Sequence, residues 1–203
     1  MSARPLRILC LHGFRSNGAQ LRTQMRALVS GLEPSVEFIY VDAPPLATGG
    51  NGWWNATAID SANPDTRYEG WQETQAWALS YFAEHQPIDG VFGFSQGAAL
   101  TALLVGLRAP PLRFTFALLV SGFVSKDPAH RALYDRRERF ELPSLHLVGR
   151  ADRIVPPAAS HALAARFQSP LIVQHEGGHV IASSAEVRNP VAAFLAERQA
   201  ELG

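Results

Sequence analysis

Apolar residues in this chain fall into short runs closed by turn formers, and stretches of helical period lie between them. Residues 6–11, 36–41, 88–92, 114–120, 145–148 and 171–173 are aliphatic or aromatic at nearly every position. Runs this short, with no polar alternation, read as strands buried on both faces of a parallel sheet. Residues 19–29 instead repeat their apolar positions at Leu21, Met25, Leu28 and Val29, one helical face, with Gly31 just beyond. Residues 71–84 (Trp71, Ala78, Leu79, Phe82), 96–107, 157–167 and 187–200 read as further helices. Pro110-Pro111 stops the helix over 96–107, and Pro156-Pro157 opens the next one, where a missing N–H does no harm. The alternation predicts an α/β fold: a mostly parallel central sheet of about six strands, right-handed crossovers, and helices on both faces.

The pattern breaks twice. Residues 43–70 are rich in Gly, Pro, Asn and Asp, carry Trp53-Trp54 and hold no sustained period. A connection of that length inside a compact domain usually works as a lid or binding loop, and paired tryptophans argue against disorder. Residues 124–142 are polar and basic, with Arg131, Arg136, Arg137 and Arg139, and read either as a second lid or as an exposed helical excursion. No repeat, low-complexity tract or linker divides the chain, so 1–203 is expected to form one α/β domain with insertions near 43–70 and 124–142.

Composition narrows the function classes. Hydrophobic residues make up 47% of the 203 positions and charged residues 18%, as in folded globular proteins. Lys+Arg and Asp+Glu each number 18, so the electrostatic footprint of a nucleic-acid or anionic-membrane binder is missing. The single cysteine, Cys10, lies in a buried-type strand and excludes both an intrachain disulfide and a cysteine metal cluster. The first apolar run is too short for a signal peptide, and no stretch is long enough to span a membrane. A soluble, cytoplasmic protein is the expectation.

Chemistry concentrates at strand ends, where ligands bind in sheets of this type. Gly93-Phe94-Ser95-Gln96-Gly97 sits between the run at 88–92 and the helix at 96–107, and has the Gly-x-Ser-x-Gly form of a nucleophile elbow. A serine hydroxyl needs a base at neutral pH, and the base needs an orienting acid. Asp152, in Gly149-Arg150-Ala151-Asp152 after the fifth run, and His179, in Gly177-Gly178-His179 after the sixth, complete the order Ser…Asp…His. His175 directly follows its strand and suits local hydrogen bonding, while His12 suits an ordering role in the first loop. His85, His130 and His161 fall on polar segments where solvation is the default. Asp42 also ends a strand, and Asp89 precedes the elbow strand on the wrong side. Ser121 ends a strand too, but Leu119 stands where an elbow needs glycine. Backbone N–H groups of Gln96 and Phe14 are the expected oxyanion donors. Trp53, Trp54 and Phe123 suggest an apolar acyl site or, alternatively, a cap on the core.

Several of these segments together resemble the FSH serine hydrolase family. They are Leu11-His12-Gly13-Phe14 with Asn17-Gly18, Val41-Asp42-Ala43-Pro44, Trp53-Trp54, the stretch 89–99 around the elbow, and Gly177-Gly178-His179. The similarity runs from about Leu6 to Leu195. It implies an α/β-hydrolase fold, a triad of Ser95, Asp152 and His179, and hydrolysis of small-molecule carboxylic esters or acyl thioesters. It also implies that no cofactor or metal is used, and that Trp53-Trp54 helps form the acyl pocket. The chain departs from the family pattern at Gly50-Asn51-Gly52, where a basic residue is common before the tryptophans, and at Ala182, near a common proline.

Overall fold

The computed structural model describes residues 4–58, 65–107, 109–135 and 139–202. In chain order its strands are β1 (Leu6–Leu11), β2 (Val36–Val41), β3 (Asn55–Ala58), β4 (Thr66–Glu69), β5 (Gly90–Phe94), β6 (Phe116–Val120), β7 (Ser144–Gly149) and β8 (Leu171–His175). The helices are α1 (Gly18–Val29), α2 (Trp71–Glu84), α3 (Gln96–Leu107), α4 (Arg131–Asp135), α5 (Pro157–Ala164) and α6 (Ala185–Ala200). Six strands form one sheet in the order β2-β1-β5-β6-β7-β8, and every neighbouring pair is parallel. The chain first winds outward from β1 to β2 and then returns to the other side of β1, so the winding direction reverses between β1 and β5. A crevice opens at such a reversal, above the carboxyl ends of the strands.

Strand side chains alternate between the two faces, and each face meets its own helices. Ile8, Cys10, Phe92, Leu118 and Leu145 pack with Leu21 and Met25 of α1 and Val191 and Phe194 of α6. Leu9, Leu11, Val91, Ala117 and Leu119 pack with Phe82 of α2, Leu103 of α3 and Leu163 of α5. Helix α3 is buried on almost every side, which explains a sequence that is apolar all round instead of amphipathic. Its outer side is covered by α4, whose Leu133 carbonyl would lie 2.7 Å from a Cβ added to Gly106. The basic segment 124–142 therefore includes a cover for α3, with Leu133 and Tyr134 buried; Arg136 and Arg137 lie outside the described residues. No helix among the described residues is long and apolar enough to cross a membrane.

Three details differ from the sequence pattern. The aperiodic segment 43–70 contains an antiparallel hairpin, β3 paired with β4, whose four-residue strands are mostly solvent-facing and so leave little hydrophobic trace; residues 59–64 of that segment lie outside the described residues. Helix α5 ends at Ala164, because Phe167 turns into a parallel bridge with Phe140, flanked by Phe140 N–H to Arg166 C=O and Gln168 N–H to Phe140 C=O. His130 is buried, not solvated: its ring lies edge-on to Trp71 at 4.5 Å and its Nδ1 is 2.8 Å from Ser125 Oγ.

At the amino-terminal edge of the sheet Asp89 accepts a two-pronged hydrogen bond from Arg4, 2.7 Å each, and a third from Arg7 N–H. Asp89 thus ties the start of the chain to the strand that leads into the elbow, at the end of the sheet opposite Ser95.

Burial also holds several histidines neutral. His146, in the middle of the sheet, is pushed down to about 3 by burial, with nearby His161 adding to the effect. An unfolded histidine takes up its proton near pH 6.5. The stability gained by keeping His146 neutral is therefore present above about pH 6.5 and drains away as pH falls from there towards its folded value. His12 and His130, lowered first by burial, act in the same direction. Urea unfolding of the wild-type protein should show a marked loss of stability between pH 7 and pH 5. In His146→Leu that loss should shrink by on the order of 1–2 kcal/mol; an unchanged loss would contradict the buried neutral imidazole.

Candidate active site

Ser95 occupies the single-residue turn between β5 and α3 with φ 56°, a left-handed conformation rarely taken by residues other than glycine. The two flanking glycines make that turn possible. A Cβ on Gly93 would lie 2.4 Å from the Gly97 carbonyl oxygen, and one on Gly97 would lie 2.1 Å from the Leu11 carbonyl oxygen. The turn is held from both directions: Ser95 N–H donates to Val120 C=O at 2.8 Å, and Ser95 C=O accepts from the amides of Ala98 and Ala99. The hydroxyl is left standing above the sheet, partly exposed, with the first turn of α3 beside it.

The structure brings His179 and Asp152 to that hydroxyl. His179 Nε2 is 3.0 Å from Ser95 Oγ, and its Nδ1 is 2.7 Å from Asp152 Oδ2. The other carboxylate oxygen, Oδ1, accepts from the amides of Ile154 and Val155, each at 2.9 Å. Glycine again allows the approach, since a Cβ on Gly149 would lie 2.4 Å from the Gly178 carbonyl oxygen. The loops are stitched by Arg150 N–H to His175 C=O and Ala151 N–H to Gly177 C=O. Burial by itself would push the Asp152 carboxyl up. Hydrogen bonds from His179, Val155, Ser121 and Ile154 outweigh it and hold the group below the ordinary carboxylate range. Asp152 is thus an anion at neutral pH, facing the imidazole nitrogen away from the serine.

The rival groups are engaged elsewhere. His12 accepts the Ala43 amide on Nε2 at 3.1 Å, so its Nδ1–H faces the Gly13 carbonyl at 2.7 Å. His175 Nδ1 accepts the Gly177 amide, and Asp42 accepts the Gly18 amide. The loop after β1 runs alongside the serine, because a Cβ on Gly13 would lie 3.5 Å from Ser95 Cβ. Phe14 follows in that loop with its ring half exposed, and Gln96 opens α3 directly after Ser95.

One arrangement was not legible in the sequence. The side chain of Gln96 is buried and clamps the tryptophan pair: Oε1 accepts Trp53 N–H at 2.9 Å and Nε2 donates to Trp54 C=O at 2.8 Å. Trp53 Nε1–H donates to His12 C=O at 2.8 Å, and the Thr74 hydroxyl donates to Trp53 C=O. Trp53 is therefore not among the described residues lining the cleft beside Ser95, contrary to the expectation of a pocket residue; it is a fully buried strut beneath the first loop. Trp54 does line the cleft, stacked on Tyr68 of the hairpin with ring centroids 4.6 Å apart and planes within 7°. Phe123, Val155 and the exposed Ile154 complete an apolar wall around a space of about 400 Å³ that reaches Ser95, Gln96 and Phe14. Tyr68, Val155 and Ile154 carry no motif; only the placement of Tyr68 in the Trp-bearing insertion could have singled it out.

A parallel sheet of this winding, with serine, acid and histidine at successive strand ends, defines an α/β-hydrolase. The chain belongs to the family described as Serine hydrolase (FSH1), whose profile matches residues 1–191. It is 33% identical to esterase OVCA2 of Danio rerio over 96% of this chain and 98% of that protein. It is 30% identical to esterase CG5412 of Drosophila melanogaster over 97% of this chain and 75% of that one. Among solved structures, acyl-protein thioesterase 2 of Zea mays shares the fold, with a TM-score of 0.71 at 19% identity over 98% of this chain and 95% of the other. The protein is accordingly a serine esterase of the α/β-hydrolase fold.

Gln96→Leu tests the clamp. It would leave the buried Trp53 N–H and Trp54 C=O without partners, at about 1–3 kcal/mol for each group. The expected result is a lowered urea midpoint and a shift in tryptophan fluorescence; an unaltered midpoint would mean the loop is held without Gln96.

Proposed function

We propose that Ser95 is the nucleophile of this esterase and that hydrolysis runs through a Ser95 acyl-enzyme. The reading is carried by one observation, the continuous relay from Asp152 Oδ2 through His179 to Ser95 Oγ, 2.7 Å and 3.0 Å long. As Oγ attacks the ester carbonyl, His179 Nε2 takes its proton and then passes it to the departing alcohol. A water molecule, deprotonated by the same nitrogen, releases the acid and restores the serine. The Asp152 anion keeps the other imidazole nitrogen protonated and stabilises the imidazolium formed in each step. Backbone N–H groups of Gln96 and Phe14 would receive the oxyanion. The Ser95 amide cannot, because it is engaged by Val120. Each such donor is worth about 10²–10³ in turnover.

The acyl chain would lie along Trp54, Tyr68, Phe123 and Val155, where it gains from leaving water. That wall favours medium-to-long acyl chains over acetyl. The same relay would cleave an acyl thioester, through the same tetrahedral intermediate.

A fluorophosphonate probe should label Ser95, and Ser95→Ala should abolish both labelling and hydrolysis of p-nitrophenyl esters. Folded wild-type protein that stays unlabelled would make the chain a binding module on the same fold. Asp152→Asn should keep the fold at neutral pH and reduce kcat by about 10⁴-fold, through loss of the correct imidazole tautomer. Across a series of acyl lengths, kcat/KM should rise from acetate to the medium chains; a maximum at acetate would refute the cleft assignment.

A further inference from the structure

Among the described residues lining the cleft beside Ser95, Lys126 alone carries a formal charge at neutral pH, the others being apolar or neutral. The base of its side chain is fixed to the hairpin. Lys126 N–H donates to Tyr68 Oη at 3.1 Å, and Lys126 C=O accepts Thr66 N–H at 3.1 Å. The neighbouring carboxylates are committed to other groups. Asp127 takes the amides of Tyr68 and Ala129, and Asp65 pairs with Arg131 at 2.6 Å. Among the described residues no ion pair engages the Lys126 ammonium.

An apolar chain laid in this cleft gains nothing from an ammonium group and takes water away from it. A chain that ends in an anion reverses that balance, because the attraction strengthens as the chain displaces water. A lysine suits such a task, being a point charge on a flexible stem that can follow chain ends of slightly different length. We infer that the preferred substrate is a monoester or monothioester of a dicarboxylic acid, its free carboxylate at the far end of the acyl chain and held by Lys126. The inference rests on Ser95 being the nucleophile that receives the acyl group. Lys126 would then be a specificity determinant that binds ground state and transition state alike, so its loss should raise KM and leave kcat unchanged.

Matched p-nitrophenyl esters of adipate and hexanoate test this, with equal chain length and differing only in the terminal carboxylate. The wild-type protein should favour the adipate ester by about three- to tenfold in kcat/KM, the range of a partly shielded ion pair, and the advantage should shrink with added salt. Lys126→Met should lose that advantage through KM without slowing hexanoate hydrolysis, and Lys126→Arg should retain most of it. Equal use of the two esters by the wild-type protein, or an equal loss of both in Lys126→Met, would overturn the assignment. A Lys126-dependent preference for an anionic alcohol on a neutral acyl chain would also overturn it, placing the anion on the leaving-group side. Titration of adipate and hexanoate into the Ser95→Ala protein reads the same contact without turnover. Tighter adipate binding that disappears in Ser95→Ala/Lys126→Met supports it, and equal binding rejects it. Failure of this contact is thus distinguishable from failure of Ser95 as nucleophile.

Discussion

Close approach of backbones is the constraint on which the site depends. At Gly97 the first turn of α3 lies against the carbonyl of Leu11, and at Gly93 the elbow strand lies against the same helix turn. At Gly149 the loop carrying Asp152 lies against the loop carrying His179. No side chain can enter any of these three contacts. They hold Ser95, Asp152 and His179 within hydrogen-bonding distance of one another although the three residues come from separate strand ends. Backbone hydrogen bonds, Ser95 to Val120 and Ala151 to Gly177, then fix what the glycines permit. Geometry of this precision rests on main chain, which does not change rotamer.

How much of this could be read from the sequence follows from the kind of signal each part leaves. The central strands are buried on both faces, so their apolar runs were unmistakable, and the helices over 71–84 and 96–107 have the same bounds in the structure. The triad candidates were legible because each follows an apolar run and sits beside glycine. The hairpin was hidden because β3 and β4 are four residues long and mostly exposed, which leaves neither a run nor an alternation. Trp53 was misplaced for a different reason. Adjacent tryptophans look alike in sequence, whereas the Gln96 clamp turns one inward and leaves the other facing the cleft. His130 was misjudged because its burial comes from Trp71 and Tyr68, contacts between segments distant in the chain.

The cleft joins two structural regimes. Its reactive end, with Ser95, Gln96 and Phe14, belongs to the sheet and its strand-end loops, and its far wall belongs to a hairpin outside that sheet. The two communicate through Gln96, whose backbone follows the proposed nucleophile and whose side chain grips the segment leading into β3. Loop Val124-Ser125-Lys126-Asp127 is bound in turn to β4 by the Thr66, Tyr68 and Lys126 hydrogen bonds. The apolar wall is therefore a cooperative assembly and not a set of independent side chains.

The hairpin's position outside the central sheet has an evolutionary consequence. Strands within the parallel sheet share hydrogen bonds with two neighbours, so an insertion there would propagate to Ser95 and His179. β3 and β4 pair only with each other, between β2 and α2, and their solvent-facing residues carry few packing obligations. Lineages can lengthen, shorten or recolour this element without altering the chemistry beneath it. Selection on what the enzyme accepts and selection on how it cleaves therefore act on separable pieces of chain.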